Sequence, residues 1–202
     1  MIRLVLATGN KKKLIELRRA LEGLPVELLG LDAFPNAPEV VEDGDTFEAN
    51  AFKKAAALMQ HTGLPALADD SGLAVDALNG APGVRSARFA GEQASDADNV
   101  DKLLEDLSGQ AQRGAQFLCA LALVTPTGER KLYEGRVEGD ITQERHGEAG
   151  FGYDPVFQPR GEQRTFAQMA PHEKDAISHR GRAVLAFVQA LNAEKITLGV
   201  SS

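Results

Sequence analysis

The stretch from Arg3 to Leu31 constrains the fold of this chain more than any other. Arg3 to Ala7 is a short apolar run, Thr8-Gly9-Asn10 has the composition of a turn, Leu14, Leu17, Leu21 and Leu24 recur at helical spacing, and Val26 to Leu31 is apolar again. The pattern predicts strand, tight turn, helix and strand. Gly9 can supply an unusual backbone angle and Asn10 can cap the helix, so the amides of the first turn, with the helix dipole behind them, form an anion site. Lys11, Lys12 and Lys13 then fall in the first turn, where the dipole disfavours cations. They answer either to a bound anion or to solvent as a basic face. The loop is not a Walker motif, which needs Gly-x-x-x-x-Gly-Lys.

A second stretch carries paired acids. In Leu67-Ala68-Asp69-Asp70-Ser71-Gly72-Leu73 an apolar run beginning at Pro65 ends in two carboxylates, a hydroxyl and a glycine, which predicts a strand running into a turn. Successive strand side chains point to opposite faces, so Asp69 and Asp70 meet one ligand only if the backbone bends there. A carboxylate at a strand end suits Mg²⁺, a hard cation; a solvated turn is the other reading. Upstream, Asp45 and Glu48 have the spacing of a capping box for a helix from Thr46 to His61. Phe47, Ala51, Ala55 and Leu58 form its apolar stripe, while Asn50 and Lys54 share another face at i,i+4. Glu42, just before that helix, is either a second carboxylate for the same metal or a surface acid.

Gly80 to Phe89 is too rich in Gly and Pro for regular structure, and its arginines are functional or merely exposed. Ser95 to Leu107 is an amphipathic helix stopped by Gly109. Ala115 to Val124 is a buried strand, Pro126-Thr127-Gly128 a hairpin-like turn, and Lys131 to Glu138 the partner strand. Gly147 to Pro155 holds three glycines around Phe151, an exposed ring that can stack on a nucleobase, unless the loop is only a structural turn. Ser178-His179-Arg180-Gly181 precedes the stripe Val184, Phe187, Val188 and Leu191, which puts His179 and Arg180 at a helix start. The tail from Lys195 to Ser202 is expected to be loosely held.

With 202 residues, 43% hydrophobic and 25% charged, the chain can bury a core as one domain or as two lobes sharing a sheet. A net charge of -7 disfavours a nucleic acid partner, while the local clusters Lys11 to Lys13, Lys53-Lys54 and Lys174, His179, Arg180 and Arg182 suit a small polyanion. The single cysteine, Cys119, sits in an apolar run and can form neither an intrachain disulfide nor a cysteine-based zinc site, which fits a reduced compartment. No stretch has the ~20 apolar residues of a membrane helix, and the N-terminus is short for a signal sequence. The expected location is cytoplasmic, with no membrane partner.

Six motifs in order, Thr8-Gly9-Asn10-x-x-Lys13, Asn50-Ala51-x-x-Lys54, Asp69-Asp70-Ser71-Gly72-Leu73, Gly80-Ala81-Pro82-Gly83, Gly150-Phe151-Gly152-Tyr153-Asp154-Pro155 and Ser178-His179-Arg180-Gly181, resemble the inosine/xanthosine triphosphate pyrophosphatase family. The resemblance runs from Leu4 to about Leu191. It implies an α/β fold over 1–202, a twisted mixed β-sheet with flanking helices forming two lobes around a nucleotide cleft, as a homodimer. It also implies Mg²⁺-dependent hydrolysis of ITP, dITP and XTP to the monophosphate and pyrophosphate. By position it makes Thr8, Gly9, Asn10, Lys11, Lys12 and Lys13 the phosphate loop, Glu42 and Asp70 the metal ligands, and Asp70 also the general base. Ser71, Phe151, Gly152, Tyr153, Asp154, Lys174, His179 and Arg180 become substrate contacts, with Phe151 against the base.

Two positions depart from the family pattern. Ala49 stands where a glutamate is common, and Glu48 points about 100° away on a helix. Pro171 precedes Lys174 where proline is not typical. Two other readings compete: a septum-inhibitor-type pyrophosphatase acting on pyrimidine or modified triphosphates, and a nucleotide sensor that binds without hydrolysing.

Overall fold

Alternation along the first strands decides where everything else packs. In the computed structural model, which describes residues 2–193, β1 (Ile2–Leu6) turns through Thr8-Gly9-Asn10 into α1 (Lys11–Ala20) and returns as β2 (Val26–Leu29). β1 pairs in parallel with β2 and with β3 (Ala66–Val75). Helix α2 (Phe47–Thr62) precedes β3, and α3 (Asp96–Asp106) follows it. Then come β4 (Gly114–Val124), β5 (Arg130–Ile141), β6 (Phe157–Pro159), α4 (Pro171–Ile177) and α5 (His179–Asn192). One mixed six-stranded sheet runs in the order β2-β1-β3-β4-β5-β6, with β6 antiparallel to β5. With its flanking helices it makes an α/β fold. No helix among the described residues is long and apolar enough to cross a membrane. The tail from Lys195 lies outside the described residues.

The chain divides into two compact units, and the divisions fall inside β3, β4, β5 and α5. The first comprises residues up to Asp70, Cys119–Glu134 and the chain from Ala183; the second comprises Ser71–Leu118 and Gly135–Arg182. In the first unit, Leu4, Leu6 and Leu67 join Leu17, Leu121, Leu123 and Phe187 in one core. Val5, Ala66 and Ala68, the alternate residues, join Ala51, Ala55, Leu58, Ala120 and Ala122 in another. A period of two sends one set to the α1 and α5 side and the other to α2. The alanines on the α2 side let that helix lie close on the strands. The second unit has one core, built around Phe117, Phe157, Phe166, Leu73 and Leu103.

Several expectations change. β3 does not turn at the paired acids but continues as strand to Val75, with Asp69 and Asp70 both buried. The N-cap of α2 is Thr46, whose hydroxyl accepts from the Ala49 amide at 3.1 Å, rather than Asp45. Gly83–Arg88, expected to be irregular, forms 3₁₀ turns after the cis Ala81-Pro82 bond. The arginines of that stretch, Arg85 and Arg88, pair with Glu92 on the surface. Pro171 occupies the first turn of α4, where a proline lacks only an amide that no helical partner would take.

Candidate functional site

The alternation that sorts the two cores also sorts the paired acids. Asp69 follows Leu67 by two and lies toward α1; Asp70 follows Ala68 by two and lies toward α2. Asp69 accordingly meets Lys13 of α1, Nζ to Oδ2 at 2.9 Å, with the carboxylate side chain at 0% exposure. Asp70 meets α2, accepting from Asn50 Nδ2 at 3.0 Å and lying 3.9 Å from Lys54 Nζ. The i,i+4 spacing of Asn50 and Lys54 is what lets one helix face supply both. Lys54 Nζ also reaches the Asp69 carbonyl at 2.9 Å and Glu42 at 3.0 Å.

Two carboxylates thus share one ammonium. Asp70 is 7% exposed, and burial holds its carboxyl above the usual carboxylate range. The nearby Glu42 charge acts in the same direction, while Lys54, Asn50 and Lys13 oppose it. A buried carboxyl of raised proton affinity beside lysines suits proton abstraction during phosphoryl chemistry.

The glycine-containing turn behaves differently from expectation. Asn10 does cap α1, but its Oδ1 accepts from the Lys12 and Lys13 amides at 2.9 and 3.3 Å, so those two amides serve the cap. Thr8 Oγ1 accepts from the Asn10 amide at 3.2 Å. Gly9 does not adopt a left-handed backbone, and a Cβ there would meet nothing within 4 Å. Of the three lysines, Lys13 answers to Asp69, while Lys11 and Lys12 lie exposed on the same turn.

A second polar cluster belongs to the second unit. Lys174, on α4 and 6% exposed, donates to Asp154 Oδ2 at 2.7 Å. The Phe151 amide donates to the same oxygen at 2.9 Å. The ammonium also stands 4.7 Å from the centre of the Phe151 ring, and the Arg180 guanidinium stands 5.5 Å from it. Phe151 is half-buried rather than fully exposed. Gly150, at φ +78°, has a backbone that side chains rarely adopt, and a Cβ there would press on Asp154 Oδ2. Arg180, in the first turn of α5, donates to Ser71 Oγ at 3.0 Å, and His179 stacks on Phe117 at 4.6 Å and 8°. Tyr153 is buried, with its hydroxyl donating to the Ser86 carbonyl at 2.8 Å, and the Gly152 amide donates to Asp96.

The sequence-predicted residues therefore fall into two groups. Thr8 to Lys13, Glu42 and Asp70 gather in the first unit; Ser71, Phe151 to Asp154, Lys174, His179 and Arg180 gather in the second. Asp70 and Ser71 are consecutive residues of β3. Sequence reasoning quoted Asn50 and Lys54 in a motif without giving them a role at the site. Their shared helix face was the signal.

Glu42 and Asp70 offer hard oxygen donors in mutual electrostatic reach, a set that fits a divalent cation keeping most of its own waters. Among the described residues, no group of three or more His, Cys, Asp or Glu side chains is placed to hold a metal. Mg²⁺ is rarely held by an all-protein cage and binds through one or two carboxylates with its own waters.

Residues 4–190 match the model of the Ham1 family. A dITP/XTP pyrophosphatase of Streptomyces coelicolor is 52% identical over 192 residues, covering 93% of this chain and 96% of the relative. One from Syntrophobacter fumaroxidans is 54% identical over 182 residues, covering 90% of this chain and 78% of that one. The solved structure of a HAM1 protein from Coxiella burnetii overlays with a TM-score of 0.88 at 43% identity, over 96% of this chain and 100% of the other. Every residue of both polar clusters lies inside the matched region, and the chain belongs to the Ham1 family.

Proposed function

We propose that this protein hydrolyses non-standard purine nucleoside triphosphates, dITP, ITP and XTP, to the monophosphate and pyrophosphate, with Mg²⁺ as cofactor. The observation that carries the reading is Asp70: a buried carboxylate of raised proton affinity, flanked by Lys54, Lys13 and Glu42. Relatives about half identical in sequence are named as dITP/XTP pyrophosphatases, which supports the substrate class.

The triphosphate binds to Thr8, the exposed lysines of the first turn of α1, Lys13 and Lys54. Glu42 and Asp70 would hold Mg²⁺, which when bound supplies neutralisation of phosphate charge. Asp70 accepts a proton from the water that attacks the α-phosphorus. The bond from that phosphorus to the bridging oxygen breaks, and pyrophosphate leaves with the electron pair. Lys13 and Lys54 offset the charge that builds on the leaving group.

The base lies against Phe151, with Lys174, His179 and Arg180 at its polar edge, Ser71 as a further substrate contact, and Gly152, Tyr153 and Asp154 shaping the loop. Cationic donors favour a 6-oxo purine and meet a mismatch at adenine's amino group. Unpaired polar groups of this kind are worth about 10⁴-fold in discrimination. A free nucleotide as substrate fits a cytoplasmic enzyme, and the family resemblance supports a homodimer.

Pyrophosphate release from a panel of dITP, XTP, ATP and UTP, with Mg²⁺ and then with a chelator, tests the reading. The expected result is rapid release from dITP and XTP, about 10⁴-fold slower release from ATP, and none with chelator. Equal rates on ATP, or release of single phosphate in place of pyrophosphate, would overturn it.

A further inference from the structure

Asn50 is buried to 1% exposure, yet it is neither an ion nor a member of the α2 apolar stripe. A primary amide in such a place needs partners for both of its ends. Its Oδ1 accepts from the Gly44 amide at 2.8 Å, and its Nδ2 donates to Asp70 Oδ2 at 3.0 Å. The assignment of the two ends is forced, because a backbone N–H can only donate. The oxygen must face Gly44, and the nitrogen must face Asp70. Gly44 is shaped to this contact: a Cβ there would stand 2.6 Å from Asn50 Oδ1 and 3.1 Å from Ala49 Cβ. The acidic loop that carries Glu42 is therefore tied to Asp70 through one side chain, two residues from the glutamate.

We propose that Asn50 is a positioning residue that orients the Asp70 carboxylate and ties it to the Glu42 loop. Oδ2 accepts from the amide N–H at 3.0 Å, which fixes the plane of the carboxylate and sets Oδ1 on the Lys54 side at 3.9 Å. The same amide fixes the Glu42 loop at the distance that lets both carboxylates act together. The catalytic consequence rests on the pyrophosphatase reading, while the hydrogen-bond relay stands on geometry alone. It also accounts for the asparagine itself: an aspartate would satisfy Gly44 and repel Asp70, and an alanine would satisfy neither.

The test exchanges the partners. Asn50→Asp keeps the acceptor for Gly44 and sets a carboxylate against Asp70. Adding Asp70→Asn restores a donor and an acceptor with their roles reversed. The single variant should melt about 5 °C or more below the wild type, and the double variant should recover most of that loss. These readings need no turnover, so they stand or fall apart from the proposed activity. Given activity, Asn50→Asp and Asn50→Ala should lower kcat on dITP by about 10 to 100-fold with KM for the nucleotide changed little. The double variant should remain inactive despite its recovered melting temperature. A single variant as stable as wild type, or a double variant no more stable than Asn50→Asp, would overturn the relay. A wild-type kcat in Asn50→Ala would overturn the positioning role, while wild-type inactivity in the substrate panel would count against the function alone.

Discussion

A buried carboxylate persists where a cation or an N–H meets it, and Asp69, with no exposed side-chain surface, is met by Lys13 at 2.9 Å. Lys13→Met removes the cation 2.9 Å from that buried carboxylate and should cost about 3 kcal/mol in urea unfolding. Lys11→Met, on the exposed side of the same turn, should cost under about 0.5 kcal/mol. Equal losses in the two variants would mean that the buried pair does not support the fold. The three consecutive lysines were visible in sequence, but the division of labour among them was not. It depends on which lysine reaches β3, and that contact joins residues far apart in the chain. At the other cluster, Gly150→Ala would push against Asp154, the residue that aligns Lys174 and the Phe151 amide. It should impair selectivity for dITP over ATP, measured as the ratio of kcat/KM values. An unchanged ratio would take the Phe151 loop out of base recognition.

At the scale of elements, long periodic segments were legible and short or polar ones were not. α1, α2, α3, β4 and β5 lie within a few residues of where hydrophobic spacing puts them. β6, of 3 residues, and α4, of 7, carry too little periodicity to stand out. β3 was misread at its centre because Asp-Asp-Ser-Gly has turn composition. Asn50, Lys54 and Lys13 make that stretch stable as strand, and they arrive from α1 and α2. The start of α2 shows the same limit of local reading, since Asp45 and Thr46 are both good caps by composition. Because the Thr46 hydroxyl makes the contact, Thr46→Ala should lower stability by about 1 kcal/mol and Asp45→Ala by less than half of that. Thermal unfolding of the two variants decides, and a larger loss in Asp45→Ala would restore the first assignment.

Over the whole molecule, the two tyrosines report on the two units, Tyr133 on the first and Tyr153 on the second. Burial pushes the Tyr133 phenol up to about 12, and burial likewise raises that of Tyr153. In the unfolded chain both would ionise near pH 10. Above that pH the unfolded state binds fewer protons than the folded one, so stability falls as pH rises, by up to about 1.4 kcal/mol per pH unit for each phenol. Tyrosinate absorbance should therefore appear together with unfolding. Half-ionisation of both phenols near pH 10 in a protein still folded by circular dichroism would contradict their burial. Composition had indicated a chain with enough apolar content for a core and a negative net charge unsuited to nucleic acid, and nothing in it could show that two cores flank the sheet in one unit and one core fills the other.

The proposed chemistry turns on the carboxylate at position 70. The direct measurement is turnover and binding of dITP by Asp70→Asn, an isosteric change that keeps the fold and removes the proton acceptor. Pyrophosphate release should fall by about 10²–10⁴-fold while the variant still binds dITP in a calorimeter. Release within a few-fold of wild type would contradict the assignment of Asp70 as the base and with it the chemistry proposed for this cluster.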